Sequence, residues 1–168
     1  ALALARAAGA TPTDADARTN LEAAIARLSS TLRYAAAAAA LLPPGFRALW
    51  FEELLGSALE PKVLLRQLVD LEIVRWREDG TIELPDSLLR ELLPSTLPGD
   101  STRRLHLRIA QLWRTRGGEA PGFSLVRQAH HLDQAQSPGR LGAAAEAELA
   151  TTLAAHGAPA EAARALVL

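Results

Sequence analysis

"EIVRWREDGTIELPDSLLREL", residues 72–92, interrupts a chain that is otherwise rich in alanine and leucine. Charged and apolar residues alternate on either side of Asp79-Gly80, the pattern of two half-buried strands flanking a tight turn. The alternation predicts antiparallel strands at about residues 74–77 and 81–84. Val74, Trp76, Ile82 and Leu84 share one face, and Arg75 and Arg77 the other. The Asp-Gly pair predicts a two-residue type I′ turn, in which both central residues have positive φ. Two short strands alone are marginally stable in water, so the pair must rest on a helical core, with Trp76 as its expected anchor.

Upstream, the periodicity is helical. Leu21, Ile25 and Leu28 repeat at helical spacing after a polar, Gly- and Pro-containing start at residues 1–20 that reads as a linker or the end of a preceding domain. Ser29 or Ser30 caps a helix over 31–42, which Pro43 and Pro44 end. "RALWFEELLG" is a short helix closed by Gly56. Pro61 then suits the first turn of a helix with Leu64, Leu68 and Leu71 along one stripe. Helix, short helix, helix, hairpin, helix is the winged-helix arrangement, with the hairpin as the wing.

Downstream, "PDSLLRELLPSTL" predicts a helix stopped by Pro94, with Asp86 capping its start. Asp100 or Ser101 caps a helix from Thr102 to about Arg116, with Leu105, Ile109 and Leu112 inside. Further helices follow at "FSLVRQAHHLDQAQ", "RLGAAAEAELATTLAAH" and "AEAARALVL", joined by short turns in the manner of an α-solenoid. The expected fold is mainly α: a winged helix over 21–99, then tetratricopeptide-like helix pairs over 100–168.

Composition narrows the function classes. The 168 residues are 49% hydrophobic and 22% charged, with a formal net charge of -1, whereas free-standing nucleic-acid binders are usually more basic. Cysteine is absent, which removes disulfides and thiolate metal sites. No apolar run approaches a membrane span, and no signal peptide is evident, so the expected location is the cytoplasm, without a membrane partner. The absence of methionine, the start at Ala1 and the end within "AARALVL" lead us to expect a piece of a longer protein.

Motifs for chemistry are missing. The sequence holds neither a Gly-Lys-Ser/Thr phosphate loop nor a Gly-x-Ser-x-Gly elbow, and its carboxylates are scattered on helix faces. The four histidines, His106, His130, His131 and His156, include no His-x-x-x-His pair, and adjacent His130 and His131 point to different sides of a helix. Packing explains His106 and His131 better than metal ligation, and Leu105 joins them as a structural anchor. The segment is therefore expected to be non-catalytic, with no metal and no cofactor of its own. For DNA, the helix before the wing would enter the major groove. The residues available are Lys62 and Arg66 on that helix and Arg75 and Arg77 on the wing, offset by Glu60, Asp70, Glu78 and Glu83. That surface is nearly neutral and offers little counterion release.

The chain from about residue 21 onward resembles the region that follows the ATPase core in bacterial signal-transduction ATPases with numerous domains. That group includes large ATP-binding LuxR-type and antibiotic-regulator-type transcriptional activators. "IARLSSTLRYAAAAAALLPPGF" is similar to their entry helix and the alanine-rich helix after it, and "LLRQLVDLEIVRWREDGTIEL" to their third helix and wing. "LLRELLPSTLPGDSTRRLHLRIAQLW" carries the family's Leu-Pro, then Arg-x-x-Leu-His-x-x-Ile-Ala, at Leu97, Pro98, Arg103, His106, Ile109 and Ala110. "QAHHLDQA" matches an Ala-x-His-apolar pattern at Ala129, His131 and Leu132. The resemblance implies a winged helix packed against an ATPase core, which would be its main partner, with ATP or ADP held elsewhere in the parent protein. One position departs. Asp86 stands where related ATPases place a histidine that contacts nucleotide phosphate, and a carboxylate there repels an anion.

The expected function is thus that of a regulatory, protein-contacting segment of a larger signalling ATPase or transcription regulator. The alternative is a DNA-binding winged-helix transcription factor with a helical oligomerisation tail.

Overall fold

Helix α2 (Ser30–Leu41) is the centre of the first half of the protein. Ser29 caps it, its Oγ accepting from the Leu32 amide at 3.2 Å. Residues 35–40 are all alanine and all 0–4% exposed. Successive helical residues are rotated by about 100°, so six buried in a row enclose the helix around its whole circumference. Only a side chain as small as alanine lets neighbouring backbones approach from every side. Helices α3 (Ala48–Leu55), α4 (Pro61–Asp70) and α5 (Ser87–Ser95) supply those neighbours. At the C-terminal end of α2, Arg90 of α5 donates from Nη1 to the carbonyls of Ala40 and Leu42, 2.8 Å each. A cation is favoured there by the helix dipole.

The computed structural model describes residues 14–116, 127, 128, 130–132, 134, 135 and 151. The chain divides into two compact units, Ala1–Pro98 and Gly99–Leu168. The first runs α1 (Asp14–Ala26), α2, α3, a 3-10 turn (Ser57–Leu59), α4, strands β1 (Arg75–Trp76) and β2 (Ile82–Glu83), and α5. The second opens with α6 (Gly99–Arg116). The described protein is mainly helical, with one two-stranded sheet.

Several boundaries differ from expectation for local reasons. Helix α1 begins at Asp14, so part of the expected linker at residues 1–20 is helical. Asp16 suits a first turn, and Arg18 pairs with Glu22 at 3.2 Å and with Glu91 of α5 at 3.1 Å. On α4 the buried leucines are Leu64, Leu65 and Leu68, while Leu71 is only half-buried because it already lies past the last turn. Pro94 sits inside the last turn of α5 rather than before it, and Ser95 and Thr96 hydroxyls donate to the carbonyls of Leu92 and Leu93. Helix α6 starts at Gly99, which places Asp100 in its first turn.

Both ends of α4 lie in left-handed backbone. Glu60, its N-cap, has φ 48°, and Glu72, just past its C-terminus, has φ 57°. The Ile73 amide reaches the Leu68 carbonyl at 2.9 Å and the Glu72 amide the Val69 carbonyl at 2.9 Å. Those two bonds are the Schellman pattern, and the side chains of Leu68 and Ile73, at its two ends, are both fully buried.

The hairpin has the expected register but a different turn. Arg75 faces Glu83 and Trp76 faces Ile82. The Gly80 amide donates to the Arg77 carbonyl (3.1 Å) and the Arg77 amide to the Thr81 carbonyl (2.8 Å). Of the turn residues only Gly80 has positive φ, 74°. The connection is therefore a three-residue loop, a type I turn followed by a left-handed glycine, and not a type I′ turn. Asp79 fills the first part of it, accepting from the Thr81 amide at 2.9 Å. These bonds from the Thr81 hydroxyl and amide hold the Asp79 carboxyl below its usual range. On its other side β2 pairs with Phe46: the Phe46 amide donates to the Ile82 carbonyl (3.0 Å) and the Ile82 amide to the Phe46 carbonyl (2.8 Å). Ile82 thus lies in a middle strand, and β1 is the outer edge.

In the second unit, Leu105, His106, Ile109, Ala110, Leu112 and Trp113 line the buried side of α6. Residues 127, 128, 130–132, 134, 135 and 151 are helical. The remainder of the helices expected beyond residue 116 lies outside the described residues.

Candidate functional site

The exposed faces of α4 and the hairpin hold most of the residues singled out for contact. Lys62, Val63, Arg66, Gln67 and Asp70 form the outer face of α4, spaced at one and four positions, as a helix surface requires. Two cations, one anion and a half-exposed valine make a mixed surface. Lys62 and Arg66 form no ion pair among the described residues.

The hairpin is different, because its cations are already engaged. Nε and Nη2 of Arg75 both reach Oε1 of Glu83, at 2.7 and 2.6 Å. Nε of Arg77 lies 3.8 Å from Oε2 of the same carboxylate and 4.0 Å from Asp79. Glu83 is the best shielded of the four side chains, so one carboxylate is shared between two arginines. Exposed pairs of this kind add about 0–1 kcal/mol each. Their effect is on the field: the two guanidinium charges are cancelled where a phosphate would have to approach.

Trp76 is 51% exposed and is not the anchor that the alternation predicts. The alternation assigns the faces correctly, since Val74, Ile82 and Leu84 are buried at 1%, 0% and 5%. What it does not convey is how far the core reaches. Val74 sits at the base of the outer strand next to α4, and Ile82 is sandwiched in the middle strand against Phe46. Trp76 is one step further out on the edge strand, past the helical support. Trp76 lines an open groove together with Arg75, Arg77, Glu78, Asp79 and Glu83.

Asp86 is an N-cap. Its Oδ1 accepts from the amides of Leu88 (2.9 Å) and Leu89 (3.2 Å) at the start of α5. Both bonds use the negative charge locally, and the side chain offers a phosphate no donor.

The second unit holds a contact that the sequence did not indicate. Nδ1 of His106 on α6 lies 2.9 Å from Nδ1 of His131, and both rings are 5% exposed. Neighbouring His130 is exposed, with its ring centre 5.3 Å from that of His131. Burial pushes His131 down to about 3, helped by His106, His130 and Arg127. Burial also lowers His106, with a further contribution from His130. Arg127 lies over the Trp113 ring at 5.3 Å, a cation–π contact, and burial lowers its pKa. Leu105, the remaining anchor, is fully buried. Residue spacing carries no signal for the imidazole pair, since its members are 25 positions apart.

Among the described residues no group of three His, Cys, Asp or Glu side chains is arranged to hold a metal ion. No described helix is long and apolar enough to cross a membrane. No protein-family model, curated protein or solved structure matches the chain.

Proposed function

We propose that residues 21–98 form a winged helix used for protein contact, followed by tetratricopeptide-like helices, in a larger bacterial regulator of the signal-transduction ATPase kind. The order α2, Phe46 pairing, α3, α4, hairpin, with β2 in the middle of the strands, supports the winged-helix reading. The observation that carries the choice of partner is the wing itself. Its two arginines are tied to Glu83 and Asp79, while its apolar Trp76 is left outside. Contact surfaces between proteins are enriched in tryptophan and depend little on net charge, whereas DNA binding depends on cations free to replace counterions. The ATPase core of the parent chain is the proposed partner. The cap role of Asp86 supports a segment that takes no nucleotide itself.

The second reading is a DNA-binding winged helix with a helical oligomerisation tail. Lys62 and Arg66 on α4, exposed and without an ion pair among the described residues, favour it. A salt titration of the protein against pools of duplex DNA separates the two. The protein-contact reading expects any low-salt binding to vanish by physiological ionic strength. Sequence-specific binding that survives there and is lost in Arg66→Glu or Arg75→Glu establishes the DNA reading instead.

A further inference from the structure

His106 and His131 meet through the same ring atom. The separation of 2.9 Å between the two Nδ1 atoms is a hydrogen-bond distance, and the rings are tilted by 39° with centres 5.1 Å apart. One nitrogen must therefore carry a hydrogen and the other a lone pair. Two hydrogens do not fit between them, and two facing lone pairs repel. When both rings are neutral, the donor carries its proton on Nδ1 and the acceptor carries its own on Nε2. The contact holds one hydrogen and no other number.

We propose that His106 and His131 form a one-proton lock between α6 and the helical stretch around residue 131, and that acidification opens it once both rings are charged: a first proton can settle on the donor's Nε2 and leave one hydrogen in the contact, whereas the second puts a hydrogen on both Nδ1 atoms. Among the described residues the surroundings give an added charge no relief. His130 acts on both rings and Arg127 on His131, and each is cationic when charged. The charged side chains of α6 at Asp100, Arg103, Arg104 and Arg108 include three arginines, and Asp100, Arg103, Arg104 and Arg108 are all exposed. Among the described residues no carboxylate acts on either imidazole. Two imidazoles also make a poor metal centre, and no third ligand joins them among the described residues.

The direction with pH follows from the proton count. In the opened state both rings bind protons at the ordinary value of about 6.5. In the closed state burial holds both below that value, His131 at about 3. The closed form is fully favoured above pH ~6.5 and loses ground as the pH falls toward the lower values. Each proton taken up on opening raises the opening constant about tenfold per pH unit, so two rings give between about 10- and 100-fold.

The test is nitrogen-15 NMR of the imidazoles and amide hydrogen exchange on the whole 168-residue chain. At neutral pH one of the two rings should be the Nδ1–H tautomer and the other Nε2–H, and neither should protonate near the ordinary value. Between pH ~6 and ~4 opening around residue 131, corrected for intrinsic exchange, should rise by about 10- to 100-fold per pH unit. Replacing both rings by leucine, His106→Leu with His131→Leu, removes the hydrogen and keeps apolar filling, and should abolish that rise. Two Nε2–H rings, ordinary titration of either ring, or an unchanged acid rise in the double variant overturns the lock. If the double variant does not fold, the tautomers and titration of the unaltered chain decide alone.

Discussion

Glu72 holds φ at 57° just past α4, a conformation that costs an L-residue with a Cβ about 1–2 kcal/mol and glycine almost nothing. Glu72→Gly should therefore raise the stability of the protein by about 1 kcal/mol, part of the relief being returned as glycine's greater freedom in the unfolded chain. A urea midpoint that stays put or falls counts against the Schellman closure. Asp86→Ala should lower stability by about 1 kcal/mol through two lost cap bonds, and Asp86→Asn should lose much less. Neither change, nor Asp86→His, should create micromolar ATP binding in calorimetry. Residues whose roles are local were legible in the sequence: Ser29, Gly56, Pro61 and Asp86 each satisfy a helix end by their own chemistry. Glu60 and Glu72 were not, because glutamate carries no left-handed preference and the surrounding packing imposes it. The sequence marks His106 and His131 as packing residues; their mutual contact depends on a tertiary arrangement that no spacing encodes.

At the scale of elements, the hairpin separates support from contact. Ile82→Ala should cost about 2–5 kcal/mol, since its side chain is fully buried in the middle strand. Trp76→Ala, half-exposed on the edge strand, should cost about 1 kcal/mol or less, while weakening association with a protein partner. Denaturation curves of the two variants that coincide would sink the assignment of middle and edge. Arg90→Met should cost about 2 kcal/mol by removing two charge-assisted bonds to the end of α2, read as a lower thermal midpoint. The alternation around Asp79-Gly80 made the hairpin and its register legible. The pairing of Phe46 was not, because one residue has no alternation to display. The turn type is not legible for a related reason: Asp-Gly suits a type I′ turn and a three-residue loop alike, and the bond from the Thr81 amide to Asp79 favours the loop. The start of α1 was hidden by polar residues that suit a linker and a first helical turn equally well.

For the molecule as a whole, the break between Pro98 and Gly99 predicts that a chain ending at Pro98 unfolds cooperatively by itself. Circular dichroism and tryptophan fluorescence of that chain should report one coincident transition, and a gradual, probe-dependent loss of structure would contradict independent folding. The mainly helical class was legible throughout, because periodicity and caps repeat along the chain. The extent of its core was not, since only packing decides that Val74 is covered and Trp76 is not. Helix α2 carries a consequence for inheritance. Every single-base change that alters an alanine codon gives glycine, serine, threonine, valine, proline, aspartate or glutamate. At residues 35–40 each of these loosens the helix, adds bulk where backbones touch, or brings a polar group or charge into an enclosed site. The plainest six letters in the chain should therefore be among the least free to drift, and a saturation library should show them as a continuous intolerant band.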